Sequence, residues 1–232
     1  MANEPPALPE GDRDSRAPFV QEARSRGLWL GIFAGAMWFE EVIDQVFFGG
    51  RLDYYGIEPR TLSGLRGIFL APFLHGNFSH LMGNTLPLVV LGFVVMIRRK
   101  RDLLYVSVVS QLVAGVGVWL IGGTNSLHFG ASMLVFGYIG YLASRGVFER
   151  RLWPILGSLV VLFLYGSLLW GMFPGDPSIS WEGHLFGFVG GIVSAWLMKR
   201  ERVMRASPLA PAAVVKAGAP TGKTASQRPA ST

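Results

Sequence analysis

The sequence predicts an all-α fold: a polytopic membrane protein built as a bundle of six membrane-spanning helices. Half of the 232 residues are hydrophobic, and only 16% are charged. The hydrophobic residues are concentrated in blocks of roughly 15 to 22 residues, the length needed to cross a bilayer as a helix. Short polar or basic segments separate these blocks, so each block is interpreted as one span.

The six predicted spans follow one another along most of the chain. Their approximate bounds are 27–48, 78–97, 103–121, 132–143, 152–173 and 184–198. The connection from Gly49 to Gly67 contains aromatic residues and charges of both signs, a composition typical of an interfacial segment. An even number of spans places both termini on the same side of the membrane.

The membrane domain is predicted to cover residues 27–205, with a tail at each end. Residues 1–26 are rich in Pro and charged residues, and residues 206–232 in Ala, Pro, Ser and Thr. Neither segment can form a hydrophobic core, so both are predicted to be disordered. The first apolar block begins only at Leu28 and has no suitable cleavage site, which argues against a cleaved signal peptide. The chain has no cysteine, which excludes disulfides and thiolate chemistry.

The basic residues predict the orientation in the membrane because they lie on alternate connections. These residues are Arg24, Arg26, Arg98 to Arg101, Arg145 to Arg151, and Lys199 to Arg205. The connections 122–130 and 174–183 contain no Lys or Arg. Both termini are therefore expected in the cytoplasm, in a protein of the plasma membrane. The pI near 10 reflects this arrangement, so the expected surroundings are a lipid bilayer and no nucleic acid is expected as a partner.

Three acidic residues interrupt the second half of the first predicted span: Glu40, Glu41 and Asp44. Ionisable residues at membrane depth are candidates for function. The alternative interpretation, which we favour, is that they face the following loop and are hydrogen-bonded or neutral there.

Three polar residues on different spans are predicted to lie at the same depth. Asn84 precedes the cytoplasmic basic residues by about 14 positions, Ser132 by about 13 and His184 by about 15. At 1.5 Å per residue each lies roughly 20 Å from the inner boundary. In a hydrocarbon core about 30 Å thick, that is about 10 Å below the outer surface. This agreement predicts a shared site inside the membrane that opens to the outer side.

Small residues predict which helices bring this site together. His184, Gly187 and Gly191 share one helix face, and the span that begins at Ser132 offers Gly137 and Gly140 in return. Such glycine faces let two helices approach backbone to backbone. We therefore expect the His184 ring within reach of the Ser132 hydroxyl.

A serine beside a histidine is the arrangement of an activated nucleophile, because the imidazole can accept the hydroxyl proton. His80 and Asn84, four residues apart, would project from one face of the second span. With the backbone N–H of Ser132 they would form an oxyanion hole. The alternatives are that Ser132 caps its helix and that His80 and Asn84 only bond neighbouring helices.

These residues resemble the rhomboid family of intramembrane serine proteases over roughly Leu28 to Arg200. The matching segments are His75-Gly76-Asn77-Phe78-Ser79-His80-Leu81-Met82-Gly83-Asn84, Gly130-Ala131-Ser132, and Gly183-His184-Leu185-Phe186-Gly187 with Gly191. The resemblance implies a catalytic dyad of Ser132 and His184 without a third acid, with His80, Asn84 and the Ser132 amide at the oxyanion. It also implies that Phe136 stacks on the histidine. The implied activity is cleavage of transmembrane segments of other membrane proteins.

One position departs from the family pattern. The family usually has Gly directly after the serine, and here the residue is Met133. Its side chain could crowd the site, so a catalytically inactive rhomboid-like protein that binds membrane helices is the alternative function. A metal site or transporter built on His75, His80 and His184 is a further alternative. The main interpretation requires no cofactor and no metal, and the sequence leaves the substrate and the oligomeric state open.

Overall fold

The computed structural model describes residues 11–206 and contains seven α-helices within that range. They are α1 (Gly11–Ile43), α2 (Gly64–Leu70), α3 (Phe78–Met96), α4 (Lys100–Ile121), α5 (Ser132–Glu149), α6 (Leu152–Tyr165) and α7 (Trp181–Ala206). Within the described range the extended backbone pairs only at a single bridge, between Ile57 and His128. The predicted all-α class is confirmed.

Shorter helical segments extend or connect these helices. A π-helical segment (Asp44–Phe48) follows α1, and 3₁₀ segments cover Leu52–Tyr55, Ala71–Phe73 and Gly166–Met172. The apolar segment Gly64–Phe73 is only 10 residues long, too short to cross a bilayer. The connection between the first two predicted spans therefore contains short helices and no further span.

Three helical segments are long and apolar enough to cross a membrane by length and composition: Phe78–Met96, Lys100–Ile121 and Leu152–Met172. The other three predicted spans also form helices, within α1, α5 and α7. The structure thus supports a helical membrane protein, and the count of six spans stays a prediction.

The first helix begins earlier than the sequence predicts. It includes residues 11–26, which lie in the predicted disordered tail. The Arg26 guanidinium donates hydrogen bonds to the Glu22 carboxylate at 2.8 Å and to the Ile97 carbonyl at 3.2 Å. Lys100 Nζ donates to Ser25 Oγ at 2.9 Å. The bonds to Ile97 and Lys100 hold residues 25 and 26 against the α3–α4 connection.

The chain divides into two units, Met1–Trp196 and Leu197–Thr232. Of the second unit the structure describes only the last residues of α7. Residues 1–10 and 207–232, where most of the predicted tails lie, are outside the described range, so the predicted domain boundaries stay predictions.

α5 lies in the interior of the first unit. Twelve of its 18 residues are buried, including Ser132, Met133 and Phe136. The predicted glycine contact with α7 is present: a Cβ on Gly187 would collide with the Met133 carbonyl, and one on Gly191 with the Gly137 carbonyl. Glycine removes the side chain that would separate the two backbones. The beginnings of α5 and α7, which carry Ser132 and His184, therefore lie side by side.

Candidate active site

One cavity brings together the four residues that the sequence predicts for the site. It has a volume of about 1190 Å³ and is lined by Ser132, His184, His80 and Asn84, among others. These residues come from three helices, α5, α7 and α3. The cavity is also lined by residues of the connections 122–130 and 174–180.

Ser132 is the first residue of α5, and the N-cap is Ala131. The helix start therefore does not use the Ser132 hydroxyl as a cap, contrary to the alternative interpretation. Leu134 and Val135 donate their amides to the Ala131 carbonyl. The amides of Ser132 and Met133 lie in the first turn of α5, where a backbone N–H has no acceptor within the helix. The Ser132 side chain and its amide thus both lie at the end of a helix that meets the cavity.

His184 is held in one orientation by two neighbours. Its Nδ1 lies 3.0 Å from the Gly171 carbonyl oxygen, and its ring stacks on Phe136 with centroids 4.1 Å apart and planes 11° from parallel. A carbonyl only accepts hydrogen bonds, so Nδ1 carries the proton. In the neutral ring, Nε2 then has a free lone pair and can accept a proton.

His80 and Asn84 converge on the residue two positions before the serine. Gly130 has a φ of +111°, and a Cβ there would lie 2.7 Å from His80 Cε1, 2.9 Å from His80 Nε2 and 3.7 Å from Asn84 Nδ2. Only glycine fits between this backbone and the imidazole edge. Asn84 Nδ2 is buried and makes no hydrogen bond within the described residues, so it is available to donate to a bound molecule.

The first turn of α3 orients His80. The Asn77 side chain caps the helix by accepting from the His80 amide at 2.8 Å. His80 Nδ1 donates to the His75 carbonyl at 2.7 Å, which turns the opposite edge of the ring, with Nε2, toward Gly130.

His75 has a structural role at the site that the sequence analysis did not assign. Its Nε2 accepts a hydrogen bond from the Ala131 amide at 3.3 Å, and its Nδ1 donates to the Phe73 carbonyl at 3.0 Å. Burial lowers the pKa of His75 to about 4, which agrees with the neutral ring that these two bonds require. The histidine was visible in the motif, but its partner Ala131 lies 56 positions away.

His128 connects the outer loops around the cavity. The Ser126 hydroxyl donates to the Gly123 carbonyl at 2.6 Å, so its oxygen accepts from His128 Nε2 at 2.7 Å. The Ser180 hydroxyl then donates to His128 Nδ1 at 2.6 Å. Burial lowers the pKa of His128, although Glu182 opposes this effect.

Met133 points away from the cavity. Its side chain is completely buried in a hydrophobic cluster with Ile57, Ile68, Ala71, Ala114 and Val118, and its sulfur lies 3.9 Å from Gln111 Nε2. It is absent from the residues that line the cavity. The departure from the family pattern therefore alters the packing between helices, and the side chain does not fill the oxyanion region.

The acidic residues at the end of the first predicted span are largely buried. Glu41 accepts from Gln45 Nε2 at 3.0 Å, and Asp44 accepts from the Leu52 amide at 3.0 Å. The predicted hydrogen bonds are thus present for these two carboxylates, and both Glu40 oxygens lack a described partner. For the metal alternative, no three His, Asp or Glu side chains between residues 20 and 199 group together as ligands for an ion.

Comparison with known proteins identifies the family of this chain. A family profile described as "Rhomboid domain" matches residues 63–201. An uncharacterized protein of Mycobacterium tuberculosis is 41% identical over 189 residues, which cover 78% of each chain. An uncharacterized protein of Mycobacterium leprae is 38% identical over 78% of this chain and 74% of its own length.

A more distant relative, YdcA of Bacillus subtilis, is provisionally named a rhomboid protease. It is 27% identical over 133 residues, which cover 56% of this chain and 66% of its own length. No solved structure gives a significant match. From the profile match and the mycobacterial relatives together, the chain belongs to the rhomboid family.

Proposed function

We propose that this protein is an intramembrane serine endopeptidase that cleaves transmembrane segments of other membrane proteins through a Ser132/His184 dyad. The observation that supports this best is the single cavity that contains Ser132, His184, His80 and Asn84. A serine at a helix start, a histidine with a free Nε2 and an unpartnered amide donor are the three components that acyl transfer needs. No metal or cofactor is required.

In the proposed reaction, Ser132 Oγ attacks the substrate carbonyl carbon while its proton passes to His184 Nε2. The carbonyl oxygen becomes negative in the tetrahedral intermediate and accepts hydrogen bonds from Asn84 Nδ2, from the Ser132 amide and from His80. Protonated His184 then gives its proton to the leaving amine, and a peptide bond is exchanged for an ester to Ser132. Water hydrolyses this ester with His184 again as the base.

The proposed setting is a six-span bundle in the plasma membrane with both termini in the cytoplasm. The basic residues on alternate connections support this orientation. The cavity includes residues of the connections 122–130 and 174–180, which the same rule places outside. Substrate helices must unwind locally to present a carbonyl to Ser132, because a helix engages all its backbone groups internally.

A fluorophosphonate probe tests the nucleophile directly. The folded, detergent-purified protein is expected to form an adduct on Ser132, and neither Ser132→Ala nor His184→Ala is expected to react. Ser79→Ala is the matched control, since Ser79 lines the same cavity and is not part of the proposed dyad, and it is expected to react like the native chain. Absence of an adduct on Ser132 would contradict the proposal.

The substrate class is tested by co-expression with a panel of single-span membrane proteins. The native chain is expected to cleave at least one of them within or next to its span, and both dyad variants are expected to leave it intact.

The alternative function is an inactive rhomboid-like protein that binds membrane helices, and it is motivated by Met133 at the position directly after Ser132. Under that alternative Ser132→Ala would retain the biological activity.

A further inference from the structure

Where α1 ends, acidic side chains are buried close to the candidate active site. Glu41 and Asp44 are 0% and 1% exposed, and each has one carboxylate oxygen that is buried without a described partner, Glu41 Oε2 and Asp44 Oδ2. Asp53, in the next connection, interacts electrostatically with both. Buried unpaired carboxylates are costly, so this group calls for an explanation.

Side chains from this region hold the Gly76 peptide from two directions. Gln45 Nε2 donates both to Glu41 Oε1 at 3.0 Å and to the Gly76 carbonyl at 3.3 Å. On the other side the Gly76 amide donates to Asp53 Oδ1 at 3.2 Å. Gly76 has a φ of +72°, a conformation that few other residues adopt. The position of this turn is therefore set by side chains that are distant in sequence.

This turn also positions the His80 ring. The residue before Gly76 is His75, whose carbonyl accepts the hydrogen bond from His80 Nδ1 at 2.7 Å. Any displacement of the Gly76 peptide would move this carbonyl and rotate the His80 ring relative to Gly130.

The same hydrogen bond fixes the orientation of the His80 ring. Since a carbonyl only accepts, Nδ1 carries a proton, and the opposite edge of the ring, with Nε2, faces Gly130.

We propose that Gln45 is a positioning residue for His80: its side-chain amide holds the Gly76 turn that aims the ring at the oxyanion, and Glu41 orients that amide by accepting its hydrogen bond. This inference rests on the proposed protease function and adds to it the residues that fix one oxyanion donor.

The role of Glu41 is tested with Glu41→Leu, measured as kcat and KM for a cleaved substrate. This variant removes the oxygen that accepts from Gln45 and is expected to lower kcat by about tenfold with KM little changed, since loss of one oxyanion donor costs about a hundredfold or more. Glu41→Gln keeps an acceptor oxygen at this position and is expected to retain a kcat close to the native value.

Glu40→Gln is the matched control, since Glu40 precedes Glu41 on the same helix and makes no described hydrogen bond. It is expected to keep kcat within about twofold. In a His80→Ala background, Glu41→Leu is expected to have no further effect on kcat. A native kcat for Glu41→Leu, an equal loss for Glu40→Gln, or an undiminished effect without His80 would each overturn the role of Glu41.

Gln45→Ala tests the positioning directly and remains informative if Glu41→Leu fails to fold. It is expected to lower kcat by about tenfold or more with KM little changed and with a thermal unfolding midpoint close to that of the native chain. An unchanged kcat would overturn the positioning role. Failure of the proposed function is a different result, because the native chain itself would then neither cleave a substrate nor react with fluorophosphonate.

Discussion

The Phe136 ring lies flat against the His184 imidazole, with 4.1 Å between the ring centroids. Phe136 is one helical turn after Ser132 on α5, so the helix that carries the serine also supports the ring of the histidine. The Gly171 carbonyl holds the Nδ1 side of the same ring. The orientation of His184 thus depends on α5 and on the 3₁₀ segment Gly166–Met172 together.

Replacing Phe136 by Leu is expected to lower kcat by about two- to tenfold, since an aromatic contact of this kind contributes about 0.5–1.5 kcal/mol. The fold should persist because leucine fills most of the space. Cleavage kinetics with a single-span substrate measure the effect. Phe163→Leu is the control, because Phe163 is 88% exposed on α6 and its loss should leave kcat unchanged. Equal activities for the two variants would contradict a role for the stacking.

The glycine contact between α5 and α7 predicts a stability difference between two similar substitutions. Gly191→Ala is expected to destabilise the protein by about 1–3 kcal/mol, the usual cost of overpacking, because the new Cβ meets the Gly137 carbonyl. Gly157→Ala in α6 meets nothing within 4 Å, and the better helix propensity of alanine should make it neutral or slightly stabilising. Thermal unfolding in detergent compares the two, and similar midpoints would argue against the close contact.

Met133→Ala is expected to lower stability and to leave the chemistry unimpaired. Removing a fully buried methionine from a core costs about 2–5 kcal/mol, and its side chain lies outside the cavity. Denaturation measures the loss, and kcat of the folded variant should stay within about threefold of the native value. Met82→Ala, at a position 61% exposed, should change neither quantity. A large gain in kcat for Met133→Ala would mean that the methionine obstructs the site.

Asp53→Asn is expected to stabilise the protein at neutral and alkaline pH. Burial, then Asp44 and Glu41, raise the pKa of Asp53 from 3.8 to about 6. A carboxyl with a raised pKa destabilises the folded state above that pKa, and the effect is relieved as pH falls toward the unfolded value. Asparagine can still accept from the Gly76 amide through its Oδ1.

The gain in unfolding midpoint for Asp53→Asn should therefore be present at about pH 8 and disappear near about pH 4. Glu58→Gln serves as the control, since Glu58 is on the same connection and accepts from Thr61 and Ser63. A constant difference across this pH range would contradict the electrostatic explanation.

Much of the helical framework could be predicted because hydrophobic blocks of the length of a span have few other stable structures in lipid. The predicted second, third and fifth spans correspond to Phe78–Met96, Lys100–Ile121 and Leu152–Met172. The helical structure of residues 11–26 could not be predicted from composition. Residues 25 and 26 are held by hydrogen bonds from Arg26 to Ile97 and from Lys100 to Ser25, which join segments more than 70 positions apart.

Residue types and periodicity predict a candidate site of Ser132, His184, His80 and Asn84. All four line one cavity, and their catalytic roles stay a prediction. The sequence predicts that the Met133 side chain could crowd the site, whereas the structure places this side chain in the hydrophobic core. Consecutive residues of a helix point about 100° apart, so only the packing against α2, α4 and α7 decides whether the residue after Ser132 faces the cavity or the core.

The sequence by itself determined the class of the protein, its hydrophobic blocks and the polar residues that would share one depth, because the bilayer constrains length and polarity along a single chain. Only the tertiary structure decided the tautomers of His184 and His80, the anchoring of Ala131 by His75 and the clamping of Gly76 by Gln45 and Asp53. Each of these depends on a hydrogen bond between segments distant in the chain. Such bonds have fixed geometry at both atoms, and that geometry exists only after the helices have packed.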